Sequence, residues 1–345
     1  MSQKLRIAVI GVGHLGKEHA RIYSKMKGVE LVAVCDTIPE RVEEIAKGVG
    51  SPAVTDYHQL LGKIDAVSIA VPTVSHYDIA SEFLRRGIHC LVEKPLTKTI
   101  PQAEELVKIA RSNGAILQVG HVERFNPAVM AVSNIVGKPR FIECHRLSTF
   151  KARSVDIDVV MDLMIHDIDI ILHFVKSPLK KVDAVGVSLL FDHEDIANAR
   201  LEFDDGCIAN VTASRISDKA MRKIRIFSDD KYVSLDYAER TAKAYKVTPE
   251  LLDAIRNIKS QSHSTIGGKL KGFLPTGVQL ALLPKRFYAV DDLRIGDYEP
   301  LAKELESFIE TVHTKQEPLV PGEHGLRAMQ TAEMILKEMR EHKWK

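Results

Sequence analysis

The sequence has little with which to bind a polyanion, cross a membrane or pin itself with disulfides. Lys and Arg number 48 against 46 Asp and Glu, a formal net charge of +2 over 345 residues. Bulk charge therefore gives no grip on nucleic acid, and any cationic site must be local. Aromatics are 6% of the chain, with a single Trp, and are not interleaved with basic clusters as nucleic-acid binding would need. Four cysteines, Cys35, Cys90, Cys144 and Cys207, stand far apart without C-x-x-C spacing, mostly in apolar runs, and read as reduced, buried thiols. No apolar run approaches the ~20 residues that a membrane span needs. MSQKLRIAVIGVG has no long apolar segment ending in a small-residue cleavage site, so a cytoplasmic protein is expected.

The chain is longer than one ordinary domain, and two are expected: residues 1–120 and 121–345. Through residue 120, short β-branched runs (LRIAVI, ELVAVCD, DAVSIAV, HCLVEKP, AILQVG) alternate with helical spacing near 14–26, 38–47, 75–86 and 101–112. Runs of Val, Ile and Ala without clean alternation are buried on both faces, which predicts a doubly wound parallel sheet. After about residue 138 the rhythm changes. RFIECHRLST, KKVDAVGVSLLF, NARLEF, CIANVTAS, KIRIFSD and KYVSLDY follow one another through short turns, as in a large, mostly antiparallel sheet of an α+β domain. One strong helix interrupts them near 158–175. Residues 247–296 have weak periodicity and read as an excursion or oligomer contact. Two C-terminal helical segments follow, and a return of these to the first domain is expected.

Gly11, Gly13 and Gly16 form G-x-G-x-x-G directly after a strand and at the opening of a helix. Gly11 allows the tight turn, Gly13 the approach of a pyrophosphate, and Gly16 close helix–strand packing. The anion would sit on the helix N-terminus. Asp36 ends the second strand ~20 residues after Gly16, where a carboxylate accepts hydrogen bonds from ribose hydroxyls and repels a 2′-phosphate. NAD is thus expected over NADP; Arg41, one helical turn on, is the feature that would favour a phosphate.

Glu93 and Lys94, in HCLVEKP, close a buried strand at the sheet edge that faces the ligand crevice. In VVMDLMIHDIDIILHFV, Asp162, His166, Asp169 and His173 fall at i, i+4, i+7 and i+11, a polar stripe on an otherwise apolar helix. Such a stripe faces solvent or lines a site. No further Cys, His or Glu cluster supports a metal there, and none is expected. At neutral pH His166 suits proton abstraction from a hydroxyl. Lys94 would stabilise the alkoxide or serve as the base itself, and the two assignments stay open. Asp162 would orient the imidazole or bind a neighbouring hydroxyl.

GVGHLG with Asp36, VPTVSH, EKP, HVERFNP and the D-x-x-x-H helix together resemble the Gfo/Idh/MocA family of nicotinamide-dependent sugar and cyclitol oxidoreductases, over essentially the whole chain. The resemblance implies that Lys94, Asp162 and His166 form the active site. It implies NAD held by Gly11, Gly13, His14, Leu15, Gly16, Asp36, Arg41, Pro72, Thr73, His76, Glu93 and Lys94. Met164 stands where the family often has Gly, and Val159 and Val160 replace glycines common before the aspartate. The branch most resembled implies oxidation of the 3-hydroxyl of UDP-N-acetylglucosamine, whose 3-keto product feeds an aminotransferase for lipid A with amide-linked acyl chains. Substrate contacts are then expected from Arg124, Asn126, Arg146, Lys151, Arg153, Asp162 and His166, with Arg215 as a further cation for the pyrophosphate. A UDP-sugar acid or inositol is an alternative substrate, and a non-catalytic NAD-binding sensor an alternative from another class. A homodimer or homotetramer through the second sheet is expected.

Overall fold

The computed structural model describes residues 4–150, 157–247, 288–293 and 295–342. Six parallel strands form the first sheet: β1 (Leu5–Ile10), β2 (Val29–Cys35), β3 (Ala53–Val54), β4 (Ala66–Ile69), β5 (His89–Glu93) and β6 (Leu117–Gly120). Their order, β3-β2-β1-β4-β5-β6, is that of a dinucleotide-binding doubly wound sheet. Helices α1 (Gly16–Tyr23), α2 (Pro39–Val49), α3 (His76–Arg85) and α4 (Ile100–Ser112) connect them. Every residue of β4 and β6 is buried, the polar Ser68 and Gln118 included, as strands covered on both faces require. The strand order reverses between β1 and β4, so the crevice opens there, beyond their carboxyl ends.

The second sheet has eight strands: β7 (Pro139–Leu147), β8 (Leu179–Val187), β9 (Ile196–Phe203), β10 (Ile208–Ser214), β11 (Met221–Ser228), β12 (Lys231–Asp236), β13 (Thr241–Val247) and β14 (Tyr288–Asp292). All neighbours are antiparallel except β7 and β10. A short helix, α5 (Pro127–Val132), precedes it and α6 (Ile165–Phe174) covers its inner face. Neither α5 nor the two-residue β3 stands out in the sequence. The expected helix over 158–175 is α6 preceded by a π-helical turn, Val160–Met164. The apparent excursion at 247–296 lies, apart from its ends, outside the described residues.

The C-terminal helices do return to the first sheet. α7 (Pro300–Thr314) puts Leu305, Phe308, Ile309 and Val312 into one core with Leu5, Ile7, Val9 and Tyr23. α8 (Gly322–Glu341) packs against α4 and β6 on one side and α6 and β8 on the other, and so ties the two sheets together. All four cysteines are buried and free, and burial pushes the Cys35 thiol up to about 12. Among the described residues, no helix is long and apolar enough to cross a membrane.

Candidate active site

A cavity of about 1500 Å³ runs from the end of β1 to the start of the π turn. At its first end the glycine loop leaves β1. Gly11 has φ +82°, and a Cβ there would stand 2.7 Å from the Ala70 carbonyl oxygen of the neighbouring strand end. A Cβ at Gly16 would overlap the Gly11 carbonyl, whereas one at Gly13 would meet nothing within 4 Å. The loop is therefore packed on its inner side and open where a pyrophosphate would approach. Asp36 accepts from Val12 N–H at 3.0 Å and Ile38 N–H at 3.1 Å, which fixes its carboxylate at the rim. Gly11, Gly13, His14, Leu15, Asp36, Arg41, Pro72 and Thr73 all line this end. These residues fit a dinucleotide: an open glycine face, a helix N-terminus and a carboxylate at the ribose position.

The far end is built by Lys94, the π turn and the second sheet. Lys94 follows β5 and donates from Nζ to the Asp162 carbonyl at 2.9 Å, with the Asp162 carboxylate 3.8 Å away. The π turn makes this contact possible. Ile165 N–H reaches back five residues to Val160, and the wider turn carries Asp162 to the cavity wall. Arg215 and Arg222 close this end with Ser148, Thr149 and Met161. Arg222 lies opposite Arg146 in the β11–β7 register and so shares its inward face. The strand MRKIRIFS hides it among neighbouring charges, and only the register gives it a place.

His166 is half-buried one turn deeper, directly behind the residues that line the cavity and near enough to Lys94 to feel its charge. Its Nδ1 is buried without a hydrogen-bond partner among the described residues. Burial, then the charges of Lys94 and Arg146, hold the imidazole well below its ordinary pKa, so it is neutral at neutral pH. The lower half of the stripe is interior: Asp169 faces Arg124 at 3.4 Å, and burial lowers His173 to about 3.

Several expected contacts are elsewhere. Glu93 turns away from the cavity, its Oε1 3.1 Å from His19 Nε2, because β5 sends successive side chains to opposite faces. His76 is buried with its ring nitrogens 3.0 Å from the Pro95 carbonyl and 2.9 Å from that of Val71, which staples the β4 and β5 loops together. Arg124 is 2% exposed against Asp169, and Arg146 is 3% exposed on Asp167, with Nε–Oδ2 2.6 Å and Nη2–Oδ1 2.9 Å. Both arginines are consumed by α6 carboxylates and neither reaches the cavity. Asn126 caps α5 through Ala128 N–H and donates to the Tyr237 carbonyl. Lys151 and Arg153 lie outside the described residues.

Residues 5–121 match the model of the Gfo/Idh/MocA oxidoreductase family, NAD-binding Rossmann fold, and residues 130–233 match the Gfo/Idh/MocA C-terminal domain. A UDP-N-acetylglucosamine 3-dehydrogenase of Acidithiobacillus ferrooxidans is 40% identical over 242 residues, 70% of this chain and 77% of that one. The chain belongs to the Gfo/Idh/MocA family. The solved structure of that dehydrogenase, GnnA, superposes with a TM-score of 0.84 over 98% of each chain, at 32% identity. A scyllo-inositol 2-dehydrogenase (NAD(+)) of Bacillus subtilis is 30% identical over 236 residues, 63% of this chain and 69% of that one. As a Gfo/Idh/MocA protein the chain is an NAD-binding oxidoreductase.

The rim also makes a prediction. Arg41 Nη1 stands 3.3 Å from the Asp36 carboxylate and is half exposed. Asp36→Ala removes the ribose acceptor and releases that guanidinium towards a 2′-phosphate. NADH affinity should fall by about tenfold, the worth of roughly one hydrogen bond to a charged group, while NADPH affinity rises. Fluorescence titration of both nucleotides measures this; a variant that loses both equally would place the ribose elsewhere.

Proposed function

We propose that the protein oxidises the 3-hydroxyl of UDP-N-acetylglucosamine to the 3-keto nucleotide sugar. The observation that carries this reading is the far end of the cavity, where Lys94 beside Asp162 shares one continuous space with two arginines, Arg222 and an Arg215 held by the Ile157 carbonyl. A neutral cyclitol has no use for two guanidinium groups, whereas a diphosphate is bound by such forks. Bound NAD supplies the two-electron acceptor for the carbinol hydrogen. Lys94 donates a hydrogen bond to the reacting oxygen and stabilises its developing charge. His166, held neutral, takes the hydroxyl proton. Asp162 keeps the Lys94 ammonium in place and offers its carboxylate to an adjacent hydroxyl. The product is a ketone next to an acetamido carbon, the class of compound that an aminotransferase consumes in building lipid A with amide-linked chains.

NADH formation from UDP-N-acetylglucosamine, with a hydrazine to trap the ketone, tests the reading. Wild type should turn over, His166→Ala should not, and Arg222→Ala should raise KM for the nucleotide sugar by about tenfold, one lost charged hydrogen bond. Turnover of inositol or a UDP-uronic acid instead, with the nucleotide sugar inert, would leave the dehydrogenase and overturn its substrate. Binding of NAD without turnover of any of these would favour a sensor.

The outer face of the second sheet supports self-association. Phe141, Phe227, Tyr232 and Tyr245 form a run of neighbouring rings across β7, β11, β12 and β13, at 5.9, 4.7 and 5.2 Å between centroids. A partly exposed aromatic band running across four strands suits a second copy of the chain. Phe227→Glu is expected to shift the protein to a smaller species in sedimentation velocity; a wild type that already sediments as a 38.5 kDa monomer would end the idea.

A further inference from the structure

The HVERFNP segment begins with a histidine for which the catalytic scheme has no task. The β5–β6 register pairs Glu93 with Gly120, so His121 leaves β6 at the level where Lys94 leaves β5. Its side chain is essentially buried, at 1% exposure, and neither ring nitrogen has a hydrogen-bond partner among the described residues. Buried polar groups left so are costly and uncommon. The neighbouring ring is His166, with centroids 6.5 Å apart and planes at 87°. Its Nδ1 is likewise buried and unpartnered. At that separation a direct N–H···N bond is out of reach, and one water between the rings would serve both. The charged groups around the pair come from every element packed on it: Lys94 and Glu93 from the end of β5, Arg124 from the turn after β6, Asp169 from α6, Arg146 from β7 and Arg222 from β11.

We propose that His121 is a positioning residue for His166: through one water shared between their buried nitrogens it holds His166 in the tautomer protonated on Nδ1, which leaves the Nε2 lone pair for the substrate hydroxyl. A neutral imidazole otherwise divides between two tautomers, and the one with its proton on Nε2 cannot accept. The inference rests on His166 as the proton acceptor.

The test joins a spectrum that needs no substrate to kinetics that do. In long-range proton–nitrogen correlation spectra of protein labelled at histidine, wild-type His166 should be a single tautomer with its proton on Nδ1. His121→Phe should show both tautomers and lose about 10- to 100-fold in kcat, the range seen when a metal-bound histidine loses its orienting partner, with KM and NAD affinity unchanged. His121→Gln, which can still hold a water, should keep the single tautomer and recover most of kcat. A mixed or Nε2-protonated His166 in wild type, or an unchanged His166 spectrum in His121→Phe, overturns the proposal. Should His121→Phe not fold, the wild-type and His121→Gln spectra decide. If the spectra behave as expected and His166→Ala still turns over at the wild-type rate, the positioning of the ring survives and its role in proton transfer is overturned.

Discussion

Lys94→Met is expected to lower kcat for sugar oxidation by about 10²- to 10³-fold, the cost of removing one preorganised donor from a developing oxyanion. Methionine keeps the length of the stem and removes only the charge, so the cavity should keep its shape. NAD affinity should be unchanged, since the glycine loop and Asp36 stand at the other end of the cavity. The pH profile supplies the more specific readout. Lys94 is the second cause, after burial, that holds the His166 imidazole below its ordinary pKa. A nearby cation disfavours imidazolium, so its loss makes His166 easier to protonate, and the acid limb of kcat/KM should move to higher pH. A small loss of kcat with an unmoved acid limb would separate Lys94 from both the reacting oxygen and His166.

The cofactor end of this site was legible in the sequence because its chemistry is local. A strand that must turn sharply into a helix beneath a pyrophosphate needs glycine at Gly11 and Gly16, and the carboxylate at Asp36 follows from the length of one β-α-β unit. The catalytic end was legible in part. Identity and spacing marked Lys94, Asp162 and His166, but periodicity read at the α-helical repeat cannot see the π turn, Val160–Met164, that carries Asp162 to the cavity wall. Cations were the least legible. Arg124 and Arg146 look like ligands for a pyrophosphate until Asp167 and Asp169 are seen beneath them, and the partners lie over 20 residues away on a helix whose polar positions had another reading. A signal for His121 was present: it follows the last residue of its strand just as Lys94 follows HCLVE, and both strand ends open on the crevice.

Arg146→Met should cost about 3–5 kcal/mol of stability, the range for removing one partner of a buried ion pair. The guanidinium makes a two-pronged contact with Asp167, a third bond at 3.1 Å to Glu123 Oε1, and lies 5.4 Å above the ring of Tyr237. Asp167 is completely buried. Once the cation is gone its carboxylate has no access to water, and it must stay charged and unpaired or take up a proton; either raises the free energy of the folded state. Replacing both groups with apolar side chains, Arg146→Met with Asp167→Leu, should recover most of the loss, because the penalty comes from the orphaned charge and the pair itself is offset by its own desolvation. The sequence alone gives Arg146 a different role, as a contact for the substrate's pyrophosphate, and the two roles part cleanly. A structural arginine predicts a fall of several degrees in the melting temperature by calorimetry, rescued in the double variant, with KM for the nucleotide sugar unchanged in the folded protein. A raised KM at an unchanged melting temperature would return Arg146 to the substrate site and require α6 to move to let it reach the cavity.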